Sequence, residues 1–260
     1  MAAGPHPRRD ASPGIAGVTN LLHAVGLRVA YGDDRVLDGV DLEIVRGGEL
    51  VALIGPNGAG KTTLLHALAG TVPLRGGAVC IAGHDLERTP REAKAGIGLA
   101  IDPPALPDLL TGRECLALFA GARGLPGIPA QTFALGETLS LSQLLDRRIA
   151  NYSLGMRQKL GILLGLLGEP PLLLLDEPFN GLDPRSALAF KAHLAVLIGR
   201  GDASVLLATH SVDFAERYAT RVVLLMDGKV RRVWDAVELT AMREDPKQSL
   251  EKAMADACDM

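Results

Sequence analysis

A chain of 260 residues with a hydrophobic fraction of 48% can bury a sizeable core as one domain, or as a core carrying a smaller inserted subdomain. Its 27 basic and 30 acidic side chains leave a formal net charge of -3, which offers no basic field to a phosphate backbone and argues against nucleic acid as the main partner. Cys80, Cys115 and Cys258 form no CxxC and share no metal-ligand spacing with the six histidines, so neither a disulfide framework nor a structural zinc site is expected, and the compartment reads as reducing. The longest apolar run, 160–168, is too short to span a bilayer, so a membrane role would come through a partner.

In chain order, residues 1–20 are rich in Ala, Gly, Pro and Arg without periodicity, lack the apolar stretch of a secretory signal and read as a flexible tail. From Leu21 the pattern is strand-like, with alternation over 27–31, a turn at Gly32-Asp33-Asp34 and a second strand over 36–45. Arg46-Gly47-Gly48-Glu49 turns into a buried strand over 50–54, and a helix follows from Lys61 to about Ala69. Gly76-Gly77 opens a short strand, Gly83-His84-Asp85 reads as a loop, 90–95 as a short helix and 97–101 as a strand. Prolines 103, 104 and 107 then stiffen a loop, Thr111 caps a helix to about Ala122, and 130–167 reads as helices. This block, roughly 103–168, breaks the strand and helix alternation and reads as an inserted helical subdomain. Alternation resumes with strands at 172–175, 204–208, 222–226 and 229–233, and with helices over 185–198, behind Pro184 at the first helical position, and 212–218. The remainder, 236–260, is charged and helix-prone.

Chemistry concentrates at two places. Gly55-Pro56-Asn57-Gly58-Ala59-Gly60-Lys61-Thr62-Thr63 joins the apolar strand to the first helix and matches G-x-x-x-x-G-K-[ST]. Glycines let consecutive N–H groups converge on an anion, the helix start adds further N–H groups, and Lys61 supplies a point charge near the β- and γ-phosphates. Thr62 offers a hard oxygen to Mg²⁺, and Thr63 a second hydroxyl near the phosphates. The four-leucine strand 172–175 ends in Asp176-Glu177, which suits Asp176 to hold Mg²⁺ and Glu177 to polarise an attacking water.

Between them lies Asn151-Tyr152-Ser153-Leu154-Gly155-Met156-Arg157-Gln158-Lys159, and with it the chain from Leu21 to about Trp234 resembles the ATP-binding subunits of ABC transporters. The resemblance implies an α/β fold with a P-loop NTPase (RecA-like) core, an N-terminal antiparallel β subdomain and the inserted helical subdomain, together forming an ATP-binding domain over 21–240 with a helical extension over 241–260. It implies ATP and Mg²⁺ as cofactors, a second copy of the subunit, a separate integral membrane permease and a place at the cytoplasmic face of the membrane. In the family, the stretch matching Ser153 and Gly155 opens a helix that meets the γ-phosphate held by the second copy. Ser153 also reads as a plain helix N-cap. Leu154 and Met156 stand where the family commonly has glycine and glutamine, a form similar to that of drug, bacitracin and lantibiotic exporters. Four further positions follow family order. Tyr31 falls where an aromatic packs on adenine, Asp183 in the loop that crosses the dimer interface, and His210 where a histidine reaches the γ-phosphate and orients the catalytic Glu177. Asp102 replaces a glutamine and would accept from a Mg²⁺-bound water. A soluble ABC-type ATPase in cofactor assembly and an importer subunit remain as alternative readings.

Overall fold

The computed structural model describes residues 20–100, 106–245 and 248–258. The expected tail lies outside them apart from Asn20, and so does Asp102. Strands β1 (Asn20–Tyr31) and β2 (Asp34–Val45) pair antiparallel, and β3 (Leu50–Ile54) leads into α1 (Lys61–Leu68). Then come β4 (Gly76–Ile81), β5 (His84–Asp85), α2 (Pro90–Ala95) and β6 (Ile97–Ala100). Helices α3 (Gly112–Ala122), α4 (Ala130–Thr138) and α5 (Leu154–Gly165) follow, with 3-10 turns at Ser142–Leu144 and Ile149–Asn151 interrupting the region expected to be helical throughout. The chain continues through β7 (Leu172–Asp176), α6 (Pro184–Gly199), β8 (Ser204–Ala208), α7 (Val212–Tyr218), β9 (Arg221–Met226), β10 (Lys229–Trp234), α8 (Ala236–Glu244) and α9 (Leu250–Cys258).

Two sheets result. The smaller is antiparallel, in the order β2-β1-β4-β5; the larger runs β10-β9-β3-β8-β7-β6, with every neighbouring pair parallel except β10 with β9. Strand β5 corrects the expected loop. Ala82 and Gly83 both adopt positive φ, 50° and 85°, which is the two-residue hairpin geometry, and the alanine gave no sign of it.

The larger sheet is covered on both faces, so its strands need apolar residues at every position. Alternate side chains separate cleanly. Val51 and Leu53 of β3 join Leu172 and Leu174 of β7 in a core with α1 and the smaller sheet. Leu50, Ala52, Ile54, Leu173 and Leu175 face the opposite core, which contains residues of α3 to α8 and Leu250 of α9. The C-terminal helices are docked: the Leu250 N–H donates to Glu216 Oε2 at 2.7 Å, and Arg243 Nη2 donates to the Ala219 carbonyl at 2.6 Å.

The register Leu53↔Ala208 and Asp176↔Ala208 brings β3, β8 and β7 to an end at one edge, the position at which open α/β sheets hold ligands. The β9–β10 hairpin secures that edge. Gly228, at φ 69°, sits so near β2 that a Cβ would lie 2.2 Å from the Val36 carbonyl oxygen. Its N–H donates to the Ala59 carbonyl at 3.3 Å, and its carbonyl accepts from the Asp38 N–H at 3.0 Å. Gly228→Ala therefore combines left-handed strain with a backbone collision, and we expect a loss of about 2–4 kcal/mol in urea-denaturation stability. A change within about 0.5 kcal/mol would show that the hairpin yields without cost.

Candidate functional site

The strand-to-helix loop is built around backbone groups. A Cβ at Gly55 would lie 2.1 Å from the Leu225 carbonyl oxygen, so only glycine lets the chain leave β3 this close to β9. Ala59 closes a turn by donating to the Pro56 carbonyl at 3.2 Å, and Gly60 precedes α1 in the left-handed conformation. Pro56, Asn57 and Gly58 are exposed at the rim. Lys61 is buried, and its Nζ donates to the Gly55 carbonyl at 2.7 Å and to the Pro56 carbonyl at 3.1 Å. The ammonium is thus centred within its own loop. Thr62 is exposed and Thr63 half-buried on the first turn of α1.

Asp176 comes to the same edge from β7. Burial pushes its carboxyl above the ordinary carboxylate range; the hydroxyl of Thr62 pulls it back, and the neighbouring Glu177 charge pushes it further up. A half-buried carboxyl beside a threonine hydroxyl, with a lysine close by, is a set of hard oxygen donors suited to a partly hydrated Mg²⁺.

Glu177 is fixed more tightly than a residue leaving a strand needs to be. Its backbone is left-handed, with φ 42°, its N–H donates to the Ala208 carbonyl at 3.0 Å, and its carbonyl accepts from the Asn180 N–H at 3.0 Å. The side chain is gripped as well. Nδ1 of His210 lies 2.9 Å from Oε1, and the Thr209 hydroxyl donates to Oε2 at 3.3 Å. The carboxylate only accepts, so Nδ1 donates to it, from a ring that is 67% exposed. An unusual φ at a carboxylate held by two side chains is strain of about 1–3 kcal/mol, kept by the surroundings. Thr209 was not anticipated; its signal was its place beside His210 at the end of β8.

A second group of expected residues gathers around α5 and the loop after Glu177. Ser153 is the N-cap of α5 and accepts from the Met156 N–H at 3.3 Å. Gly155 lies against that loop, where a Cβ would come within 2.4 Å of the Gly181 carbonyl oxygen. Leu154 is 64% exposed, with its Cγ 3.5 Å from a Cβ position at Gly181. Asp183, expected to reach a second copy, is occupied within its own chain. Oδ1 accepts from the Ser186 N–H at 2.9 Å as the N-cap of α6, and Oδ2 accepts from the Ser186 hydroxyl at 2.7 Å and from Lys159 Nζ at 2.8 Å. Sequence reading passed over Lys159, although it is a cation at the start of an apolar run. The ring of Tyr31 is 52% exposed at the end of β1.

Residues 37–180, over half of the chain, match the family model for ABC transporters, and the chain belongs to that family. The matched region is an ABC-type ATPase domain. The chain is similar to the daunorubicin resistance ATP-binding protein DrrA2 of Streptomyces coeruleorubidus, 38% identical over 210 residues, covering 80% of this chain and 65% of that protein. It thus spans just under two thirds of that relative's length. A solved ATP binding subunit of an ABC transporter superimposes with a TM-score of 0.81 at 33% identity, over 92% of this chain and 99% of that one. An ATP-binding cassette solved in a dimeric post-hydrolysis state with ADP and phosphate shares the fold, with a TM-score of 0.73 at 21% identity over 83% and 98% of the two chains. Among the described residues, no helix is long and apolar enough to cross a membrane.

The Lys159 ammonium foremost, with the two Ser186 donors, holds the Asp183 carboxyl well below the ordinary range. Its folded pKa is depressed, so its stabilisation is present above the unfolded value of about 4 and is lost as pH falls through the folded one. Asp183→Asn should therefore cost about 1 kcal/mol at pH 7, after discounting for an exposed side chain, with the difference from the parent shrinking below about pH 4. Chemical denaturation across pH measures this, and a difference that does not vary with pH would contradict it.

Proposed function

We propose that this chain is the ATP-hydrolysing subunit of a membrane exporter of a drug, antimicrobial peptide or similar amphiphile, working as a pair of identical copies at the cytoplasmic face. The observation that carries the hydrolytic part is the Glu177 carboxylate, clamped between Thr209 and His210 at the edge where the glycine loop and Asp176 also end. Glu177 accepts a proton from water as the water oxygen attacks the γ-phosphorus, and the bond to the leaving ADP oxygen breaks with its electron pair going to ADP. The N–H groups of 55–63 and Lys61 hold the phosphates, exchanging the carbonyl partners of Lys61 for phosphate oxygens. Thr62 and Asp176 would hold Mg²⁺, which supplies positive charge to the β- and γ-oxygens. His210 keeps Glu177 in place, and its exposed ring stands at the edge where the γ-phosphate would lie. Tyr31 would lie against the adenine.

Ser153 and Gly155 of the second copy would complete the phosphate shell with the start of α5, and the partner permease would dock near the helical subdomain, roughly 103–168, and the stretch after Asp102. The drug-resistance name of the Streptomyces relative supports the export reading, and the dimeric cassette supports the paired arrangement.

Glu177→Gln keeps the size and one hydrogen-bond acceptor while removing the base. We expect ATP binding near the parental affinity, a fall in turnover of about 10²–10⁴-fold, and an ATP-dependent dimer on size exclusion. Undiminished turnover would remove Glu177 from the chemistry.

A further inference from the structure

A cavity of about 350 Å³ lies between α4, the connection from α5 to β7, and the C-terminal half of α6. It sits toward the start of β7, whereas Asp176 and Glu177 stand at the end of that strand. The volume falls in the range of small-molecule sites, about 300–1,000 Å³. Leu135, Leu173 and Leu197 give it an apolar floor.

Its polar groups are few and unengaged. Thr132 is only 6% exposed; its N–H donates to the Pro129 carbonyl at 3.0 Å, and among the described residues nothing hydrogen-bonds its hydroxyl. The hydroxyl is not among the fully buried side-chain atoms that lack a partner, so it opens onto the cavity, where a guest can pair with it. The ring of His193 likewise has no hydrogen-bond partner among the described residues. Burial pushes its pKa down against the opposing Glu169 charge, so the ring is neutral near pH 7, with one nitrogen free to donate and one to accept. Glu169 and Asp202 are exposed at the mouth, neither has an ion-pair partner among the described residues, and neither lysine nor arginine is among the described lining residues. The mouth is therefore negative over a leucine floor. An anion would be repelled there, and a purely apolar guest would leave Thr132 and His193 unpaired.

We propose that this cavity is a binding site for a small amphiphilic ammonium, whose charged group sits between Glu169 and Asp202 and whose apolar body rests on the leucines beside Thr132 and His193. The site is independent of the exporter reading and of the nucleotide-binding edge. Tryptamine, which is protonated at neutral pH, serves as the probe; indole-3-propionate is its anionic counterpart and indole its neutral one.

Isothermal titration of the full chain is run with a non-hydrolysable ATP analogue and Mg²⁺ present, so that stacking at Tyr31 does not contribute. We expect saturable one-to-one binding of tryptamine with a Kd on the order of 1 mM or tighter, weaker binding of indole and none of indole-3-propionate. The pair Glu169→Gln with Asp202→Asn should weaken tryptamine about fivefold or more while leaving affinity for the ATP analogue unchanged. Asp202→Asn alone, at an exposed turn, should weaken it in the same direction should the pair lower the melting temperature. No saturable binding of tryptamine, equal binding of the carboxylate, or unchanged affinity in Asp202→Asn would each overturn the proposal.

Discussion

The pairing of β7 with β8, which sets Asp176 opposite Ala208, is the constraint on which the chemistry depends. It fixes where both strands stop. Glu177 leaves β7 with its N–H tied to the Ala208 carbonyl, and Thr209 and His210 leave β8 one and two residues later to hold the Glu177 side chain. Without that register the carboxylate would be a flexible loop residue, and the left-handed backbone would relax. Parallel strand β3, on the other side of β8, delivers the glycine loop to the same edge. The Glu177 carboxylate, a lysine and a second carboxylate beside a threonine hydroxyl are thereby brought to one edge by backbone hydrogen bonds before any ligand binds, which is the preorganisation that the proposed phosphoryl transfer asks of a protein.

A second unit is built on α5. Gly155 meets Gly181 at backbone distance, and buried Lys159 reaches across to Asp183, which in turn caps α6. The start of α5, the loop after Glu177 and the start of α6 are therefore one packed body. Lys159 carries a charge that is only 11% exposed, while its partner Asp183 is half open to solvent, so the pair is screened from one side. Through the 177–183 loop this body is continuous with Glu177 itself, since Asn180 donates to the Glu177 carbonyl. A displacement of α5 is thus mechanically connected to the carboxylate.

Legibility in the sequence followed how local each signal was. Strand β8 and helices α2 and α7 fall where the pattern places them, because an apolar run and a proline at a helix start, Pro90, are local signals. The glycine loop was readable since its residue types are dictated by backbone approach to an anion. Hairpin β4–β5 was hidden by an alanine with positive φ, a tertiary override of propensity. The engagement of Asp183 was hidden for a different reason: the motif suggests an outward contact, while the competing partner, Lys159, comes from a different helix. The pair Thr132 and His193 lacked any pattern, since their meaning lies in which other segments stand against them, and Thr209 had only its place beside His210.

We propose that each hydrolytic site joins the glycine loop of one copy to the start of α5 in another, since in its own chain that helix start is packed on the 177–183 loop. Mixing two defective chains tests this directly. Subunits carrying Lys61→Ala and subunits carrying Ser153→Arg, each inactive alone, form pairs in which one site receives both lesions and the other receives neither. ATP hydrolysis is expected in the mixture that neither variant shows by itself, and a mixture as inactive as its components, under conditions where mixed pairs are demonstrated, would rule out a site shared between copies.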